Sequence, residues 1–79
     1  MHDLPPPRDR VMARRRAVGD RIRAVRLHAN LTQEQVSLRS GISLASYNRI
    51  EQGHSSPMLD SLIRIADAIG VDLADLVRT

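Results

Sequence analysis

Two helix-start signals, Thr32 and Ser43, lie on either side of Gly41 in the middle of the chain. Thr32 and Gln35 form a capping box, in which each side chain accepts a hydrogen bond from the other residue's backbone amide. Ser43 is a preferred N-cap residue, and Gly41 accepts the positive φ that a tight turn requires. The pattern predicts short helices over 33–40 and from 44 to about 52, joined by a turn of about three residues that forces a sharp crossing.

The first helix is predicted within residues 9–29, where apolar residues recur at spacings of three, four and seven. Asn30 suits the left-handed conformation that ends a helix, and three consecutive prolines exclude residues 1–7 from it. The arginine-rich stretch before Ala17 is either the start of this helix or a frayed tail. We therefore divide the chain into a basic tail, residues 1–16, and a domain, residues 17–79. If the arginine-rich stretch is helical, the tail extends the first helix. The apolar positions are Val11, Val18, Ile22, Val25 and Ala29.

Two more helices follow the central pair. Ser56 and Pro57 mark the fourth start, as N-cap and first helical residue. Asp72 caps a short fifth helix over 73–77. No segment alternates with period two, so we predict an all-α fold. The apolar positions of the fourth helix are Leu59, Leu62, Ile65, Ala66 and Ile69.

Composition excludes several classes of function. The 79 residues contain no cysteine, so neither a disulfide framework nor a thiolate metal site is available. No apolar run approaches the ~20 residues that cross a bilayer, and we expect a cytoplasmic protein without a membrane partner. The single aromatic residue, Tyr47, disfavours binding of single strands by base stacking. His2 and His28 are isolated, and no serine has a histidine base at a suggestive spacing, so no metal, cofactor or catalysis is expected.

Charge is divided unevenly along the chain. Residues 1–30 carry a balance of +5, and residues 31–79 carry −2. Such a molecule can present its basic end to a polyanion, although a solvated basic tail would give the same composition. The arginines of the tail therefore either contact a nucleic acid or are unspecific.

The third predicted helix has an apolar side and a polar side. Tyr47, Ile50 and Glu51 fall on the inner side, next to Val36 and Ile42. Arginine can bridge two acceptors of guanine, an amide can bridge adenine, and a small apolar side chain can contact a thymine methyl group. The outer side is therefore suited to the major groove of DNA. Its residues are Leu44, Ala45, Asn48, Arg49 and Gln52.

These landmarks resemble the lambda-repressor-like (Cro/cI, or XRE) helix-turn-helix family over residues 17–77. The resemblance implies a compact five-helix domain whose second and third helices form the helix-turn-helix. It further implies a regulator of transcription that binds double-stranded DNA. The matching segments are Arg21-Ile22-Arg23 with Arg26, Leu31-Thr32-Gln33-Glu34-Gln35-Val36, Gly41-Ile42-Ser43, Ile50-Glu51-Gln52-Gly53, Pro57, Leu62-Ile63-Arg64-Ile65-Ala66 and Ile69-Gly70-Val71.

The resemblance also implies roles for individual residues. Arg26 and Glu51 would form a partly buried ion pair between the first and third helices. Base readout would fall to Ser43, Leu44, Ala45 and Arg49. Contacts with the DNA backbone would come from Thr32, Gln33, Ser46, Asn48, Gln52, His54 and Ser55.

Three residues depart from the family pattern. Ser37 replaces an alanine, and its hydroxyl can bond back to the preceding turn. Tyr47 replaces an aliphatic residue, which we expect to alter packing rather than chemistry. Leu38 stands where the family is polar, and it is either a lone exposed leucine or part of a contact surface.

The last two helices have more apolar residues than one small face needs, which predicts a two-fold homodimer on half-sites about 34 Å apart. In the alternative, these residues complete the core of a monomer. We expect a non-enzymatic regulator, of the repressor type, on a palindromic operator. The other hypothesis is an antitoxin or adaptor that binds a protein. No small-molecule ligand is expected, so any inducer would act through a partner. The candidate interface residues are Met58, Ile63, Leu73, Leu76 and Val77.

Overall fold

The computed structural model describes residues 6–78; residues 1–5, including His2, and Thr79 lie outside the described part. No strand occurs between residues 6 and 78, so the all-α prediction is confirmed. None of the described helices is both long enough and apolar enough to cross a membrane. The helices are α1 (Pro7–His28), α2 (Gln33–Ser40), α3 (Leu44–Glu51), α4 (Leu59–Ile69) and α5 (Leu73–Val77).

The helix-turn-helix forms where its capping residues predict. The Thr32 hydroxyl accepts from the Gln35 amide at 3.1 Å, and Gln35 Oε1 accepts from the Thr32 amide at 2.8 Å. Gly41 ends α2 with a φ of 75°. Ser43 begins α3 by accepting a hydrogen bond from the Ser46 amide at 3.2 Å. The two helices therefore have the predicted bounds, except that α3 ends at Glu51, one residue early.

The arginine-rich stretch is helical. α1 begins at Pro7, so the exclusion of residues 1–7 was wrong at that position, because a proline at the first helical residue lacks only an amide that has no helical partner. Asn30 follows the helix with a φ of 60°, as predicted. Val11 is 62% exposed, because the α1 residues that pack at the core are Val18, Ile22 and Val25, which come later in the helix. The division at residue 16 stays a prediction.

The predicted start of the fourth helix was wrong. α4 begins at Leu59, and its N-cap is Met58, whose φ of −69° and ψ of 157° are extended. Ser56 and Pro57 lie in the loop instead. The loop leads from α3 to a helix that packs chiefly on α2 and α5. Leu59, assigned to the apolar side of this helix, is 61% exposed.

All five helices contribute to the core. Val36, Tyr47 and Ile50 are buried as predicted, and Ile42 is half-buried. Leu76 has no exposed surface, so its assignment to a dimer interface is corrected: α5 packs against α1 and α4 and turns this side chain into the core. The buried apolar residues are Ile22, Val36, Tyr47, Ile50, Ile65, Ala66, Ala68, Ile69 and Leu76.

The backbones of α1 and α3 approach each other closely at two glycines. A Cβ atom on Gly19 would lie 2.6 Å from the carbonyl oxygen of Glu51, and one on Gly53 would lie 2.8 Å from the Cα atom of Arg16. Arg15 Nε donates to the Gly53 carbonyl at 3.0 Å. The C-terminal end of α3 is therefore fixed directly on α1.

Candidate nucleic-acid interface

The carboxylate of Glu51, at the end of α3, accepts hydrogen bonds from three helices. Arg26 of α1 donates from Nε to Oε2 at 2.6 Å and from Nη2 to Oε1 at 3.0 Å. Gln33, the first residue of α2, donates from Nε2 to Oε1 at 3.0 Å. The Tyr47 hydroxyl, one turn earlier in α3, donates to Oε2. Four donors therefore satisfy a carboxylate that is only 5% exposed, and they join α1, α2 and α3 at one point.

Each nitrogen of the Arg26 guanidinium donates a hydrogen bond. Arg26 is 7% exposed, and its Nη1 donates to the Leu31 carbonyl at 2.9 Å. The hydrogen bonds to Glu51 raise the pKa of Arg26, although burial opposes this. Over residues 6–78, no buried side-chain nitrogen or oxygen lacks a hydrogen-bond partner. A buried pair with this geometry avoids most of the penalty of an uncompensated charge.

Tyr47 participates in this charge network, contrary to the expectation that it would alter packing alone. Its ring is fully buried, and its hydroxyl is a donor to Glu51. Burial, together with the hydrogen bond to the carboxylate, raises the pKa of Tyr47. The hydroxyl therefore keeps its proton and remains a donor.

The pKa of Glu51 results from opposing effects. Burial alone would raise it, but the hydrogen bonds from Arg26, Tyr47 and Gln33 outweigh burial and leave the pKa below the ordinary value. Glu51 is therefore an ionised carboxylate at neutral pH, as its four donors require.

Gln33 connects the N-terminus of α2 to the polar side of α3. Its Oε1 accepts from Asn48 Nδ2 at 3.2 Å, while its Nε2 donates to Glu51. A glutamine amide nitrogen carries two hydrogens, so one N–H is left for a further acceptor. The hydrogen bonds to Glu51 and Asn48 thus fix the orientation of the Gln33 amide. Gln33 also lies at a helix N-terminus, a position where anions bind. Asn48 is half-buried beside it, and one N–H of the Asn48 amide is used in the hydrogen bond to Gln33.

The expected base-reading residues share the outer surface of α3. Ser43, Leu44, Ala45 and Arg49 are all exposed. A shallow groove alongside is lined in part by Ser43, Ser46 and Arg49, together with Ser55 from the next loop. Thr32, Gln52 and His54 are exposed as well. The fold therefore gathers Ser43, Ser46, Arg49 and Ser55 and leaves the expected readout residues accessible.

The candidate interface residues of α4 and α5 differ in exposure. Met58 is 69% exposed, Val77 45% and Ile63 41%. Leu73 is half-buried, and Leu76 belongs to the core. Three exposed apolar side chains therefore remain of the five that the sequence indicated.

Two contacts of the structure were not anticipated. The Ser37 hydroxyl donates forward to the Ile42 carbonyl and not back to the preceding turn, so it ties α2 to the start of α3. Gly19 was missed, although a glycine inside a helix is a signal of close backbone packing.

Leu38 is 83% exposed. Residues 6–78 contain no group of three His, Cys, Asp or Glu side chains that could hold a metal ion.

Comparison with known proteins gives one family. A helix-turn-helix family model, HTH_3, matches residues 22–76. The chain is similar to the cryptic phage CTXphi transcriptional repressor RstR of Vibrio cholerae, with 36% identity over 59 residues. That match covers 75% of this chain but 53% of RstR, so the chain spans about half the length of that relative.

A second relative and a solved structure match along most of their length. The uncharacterized HTH-type transcriptional regulator y4dJ of Sinorhizobium fredii is 36% identical over 66 residues, covering 84% of this chain and 86% of y4dJ. The restriction-modification controller protein C.AhdI from Aeromonas hydrophila superimposes with a TM-score of 0.79 and 25% identity. This match covers 81% of this chain and 97% of C.AhdI.

Substitution of Glu51 by Gln tests the buried network through pH. Because the folded pKa of Glu51 is lowered, its stabilisation is present above the ordinary value of about 4.3 and is lost as the pH falls below it. Glu51→Gln should lower the free energy of unfolding at pH 7 by about 3–5 kcal/mol, because Arg26 loses its counter-charge. It should also flatten the fall in stability between about pH 5 and 3. Urea unfolding across this range measures both effects.

The matched control is Glu34→Gln, in the exposed first turn of α2. It should keep stability at pH 7 within about 0.5 kcal/mol of the original and keep the original pH slope. An equal loss of slope in the two variants would show that Glu51 is not the group responsible.

Proposed function

The chain belongs to the helix-turn-helix family HTH_3, and from this premise we propose that it binds double-stranded DNA sequence-specifically and represses transcription in the cytoplasm. The observation that carries the proposal is the exposed outer side of α3 on a buried, fully hydrogen-bonded base. A reading surface needs supports whose own positions are fixed, and Glu51 supplies such a support. The name of RstR as a transcriptional repressor, and of C.AhdI as a controller protein, supports the same function.

In the proposed complex, α3 lies in the major groove. Arg49 bridges acceptors of a guanine, Leu44 and Ala45 contact thymine methyl groups, and Ser43 lies close by. Backbone contacts come from two flanking segments, the N-terminus of α2 and the α3–α4 loop, and they fix the register. Gln33 offers its remaining N–H to a phosphate there. The residues proposed for backbone contact are Thr32, Gln33, Ser46, Asn48, Gln52, His54 and Ser55.

The operator is proposed to be palindromic and the bound form a homodimer. One module of this size buries only about 600–1,000 Å² on DNA, and a second copy on a half-site about 34 Å away supplies the missing affinity. Met58, Ile63 and Val77 are the exposed apolar residues that would pair across the two-fold axis, with Leu73 at the edge. Leu76 is left out because it is needed in the core.

Replacing the outer side of α3 tests sequence-specific binding. A duplex is first selected from a random pool with the original chain, and binding is measured by fluorescence anisotropy. The triple variant Leu44→Glu, Ala45→Glu, Arg49→Glu should lose selectivity and bind no better than the non-specific range of about 10⁻⁴–10⁻⁶ M. All three sites are exposed, so circular dichroism should show an intact fold.

The control variant makes the same three exchanges away from the interface: Leu38→Glu, Ala24→Glu and Arg64→Glu, at exposed positions. It changes net charge equally and should keep the preference for the selected duplex over a shuffled one. If the α3 variant kept that preference, the proposed readout would be wrong. If the original chain selected no duplex, a protein-binding adaptor would replace the regulator.

Substitutions at the exposed apolar residues Met58 and Val77 test dimerisation. The chain has a mass of 8.8 kDa, and sedimentation on the selected duplex should show two copies bound. Met58→Glu with Val77→Glu places like charges on the proposed interface and should weaken binding about 100-fold, with a single copy at low occupancy. Leu38→Glu, on an 83% exposed leucine of α2, should keep two copies. Two copies bound at unchanged affinity by the double variant would place the interface elsewhere.

A further inference from the structure

The first turns of α1 hold arginines to which the proposed function gives no role. α1 begins at Pro7, whereas the family match begins at residue 22. Residues 7–16 contain five arginines and one aspartate. Because they belong to a helix that is packed on the domain, their directions are set by the contacts of that helix.

Two contacts show which side of α1 faces the end of α3. Gly19 packs on the Glu51 carbonyl oxygen, which would lie 2.6 Å from a Cβ at that position. Arg26, seven residues later, donates to the Glu51 carboxylate. Residues three, four or seven apart share one face of an α-helix, so Gly19 and Arg26 mark the flank of α1 on which α3 ends.

Arg16 and Arg23 lie on this flank. Arg16 precedes Gly19 by three residues and Arg23 follows it by four, the two spacings that make residues neighbours on a helix surface. Arg16 also lies against the α3–α4 loop, since a Cβ on Gly53 would be 2.8 Å from the Arg16 Cα atom. Both arginines are exposed, and neither makes a hydrogen bond or ion pair with another residue of the described chain.

The opposite side of α1 faces α5. Arg21 Nε donates to the Asp75 carbonyl of α5 at 2.7 Å, and Arg14 lies seven residues before Arg21 on that side. Arg14 is exposed like Arg16, but it is directed away from the flank on which α3 ends. The same helix thus presents arginines toward and away from the proposed DNA surface.

We propose that Arg16 and Arg23 bind two DNA phosphates adjacent to those contacted by the α3–α4 loop. This inference rests on the proposed function and extends its backbone contacts to α1. Each guanidinium is exposed and has a planar fork that matches phosphate geometry. Both lie on the flank of α1 on which α3 ends, and Arg16 is in addition next to Gly53 of the loop. The balance of +5 over residues 1–30 favours the same polyanion.

The test is the salt dependence of binding by the double variant Arg16→Gln, Arg23→Gln. Affinities for the selected duplex and for a shuffled duplex are measured by anisotropy over a series of KCl concentrations. Loss of two phosphate contacts should flatten the slope of log affinity against log salt by about 1.8. Both duplexes should be weakened by the same factor, because a phosphate contact does not read sequence.

The matched control is Arg14→Gln with Arg64→Gln, two exposed arginines off this flank. It removes the same charge and should keep the slope within about 0.5 of the original. Equal slopes for the two double variants would overturn the inference while leaving sequence-specific binding in place. If the original chain selected no duplex at all, the proposed function would fail and the inference with it.

Discussion

The ion pair between Arg26 and Glu51 is the interaction on which the rest of the structure depends. It joins the first and third helices, and the donors Gln33 and Tyr47 bring the second helix and the neighbouring turn of α3 to the same carboxylate. A charge this deeply buried is costly unless every lone pair is satisfied. Here four donors satisfy it, so a displacement of α3 relative to α1 or α2 would break at least one of these hydrogen bonds. The absence of a side chain at Gly19 allows the approach that makes this geometry attainable.

A fixed α3 is what the proposed readout needs. The amide of Gln33 is oriented by Glu51 on one side and by Asn48 on the other. A phosphate contact from Gln33 and base contacts from Arg49 would therefore have fixed positions relative to each other. Backbone contacts then position the reading surface without adding sequence information. With Arg16 on a neighbouring phosphate, as proposed, the long first helix is both a structural support and a part of the interface.

Local signals predicted the elements well, and tertiary contacts explain the errors. The capping box at Thr32 involves residues three apart, so the sequence contains both partners and the bounds of α2 follow. Pro57 is an equally good local signal for a helix start, yet α4 begins two residues later because its position depends on packing against α2. For the same reason, the burial of Leu76 was not predictable, because it depends on α1 and α4. The donor role of Tyr47 was missed although its acceptor, Glu51, is only one turn away in α3; this i, i+4 pair was visible in the sequence.

The decisive measurement is the structure of this chain bound to a duplex recovered by selection. In that complex, α3 should lie in the major groove, with the Arg49 guanidinium within about 3.2 Å of a base-edge acceptor. Glu51 should keep all four donors. A complex in which the outer side of α3 faces away from the bases, or in which Glu51 exchanges Arg26 for another partner, would contradict this prediction.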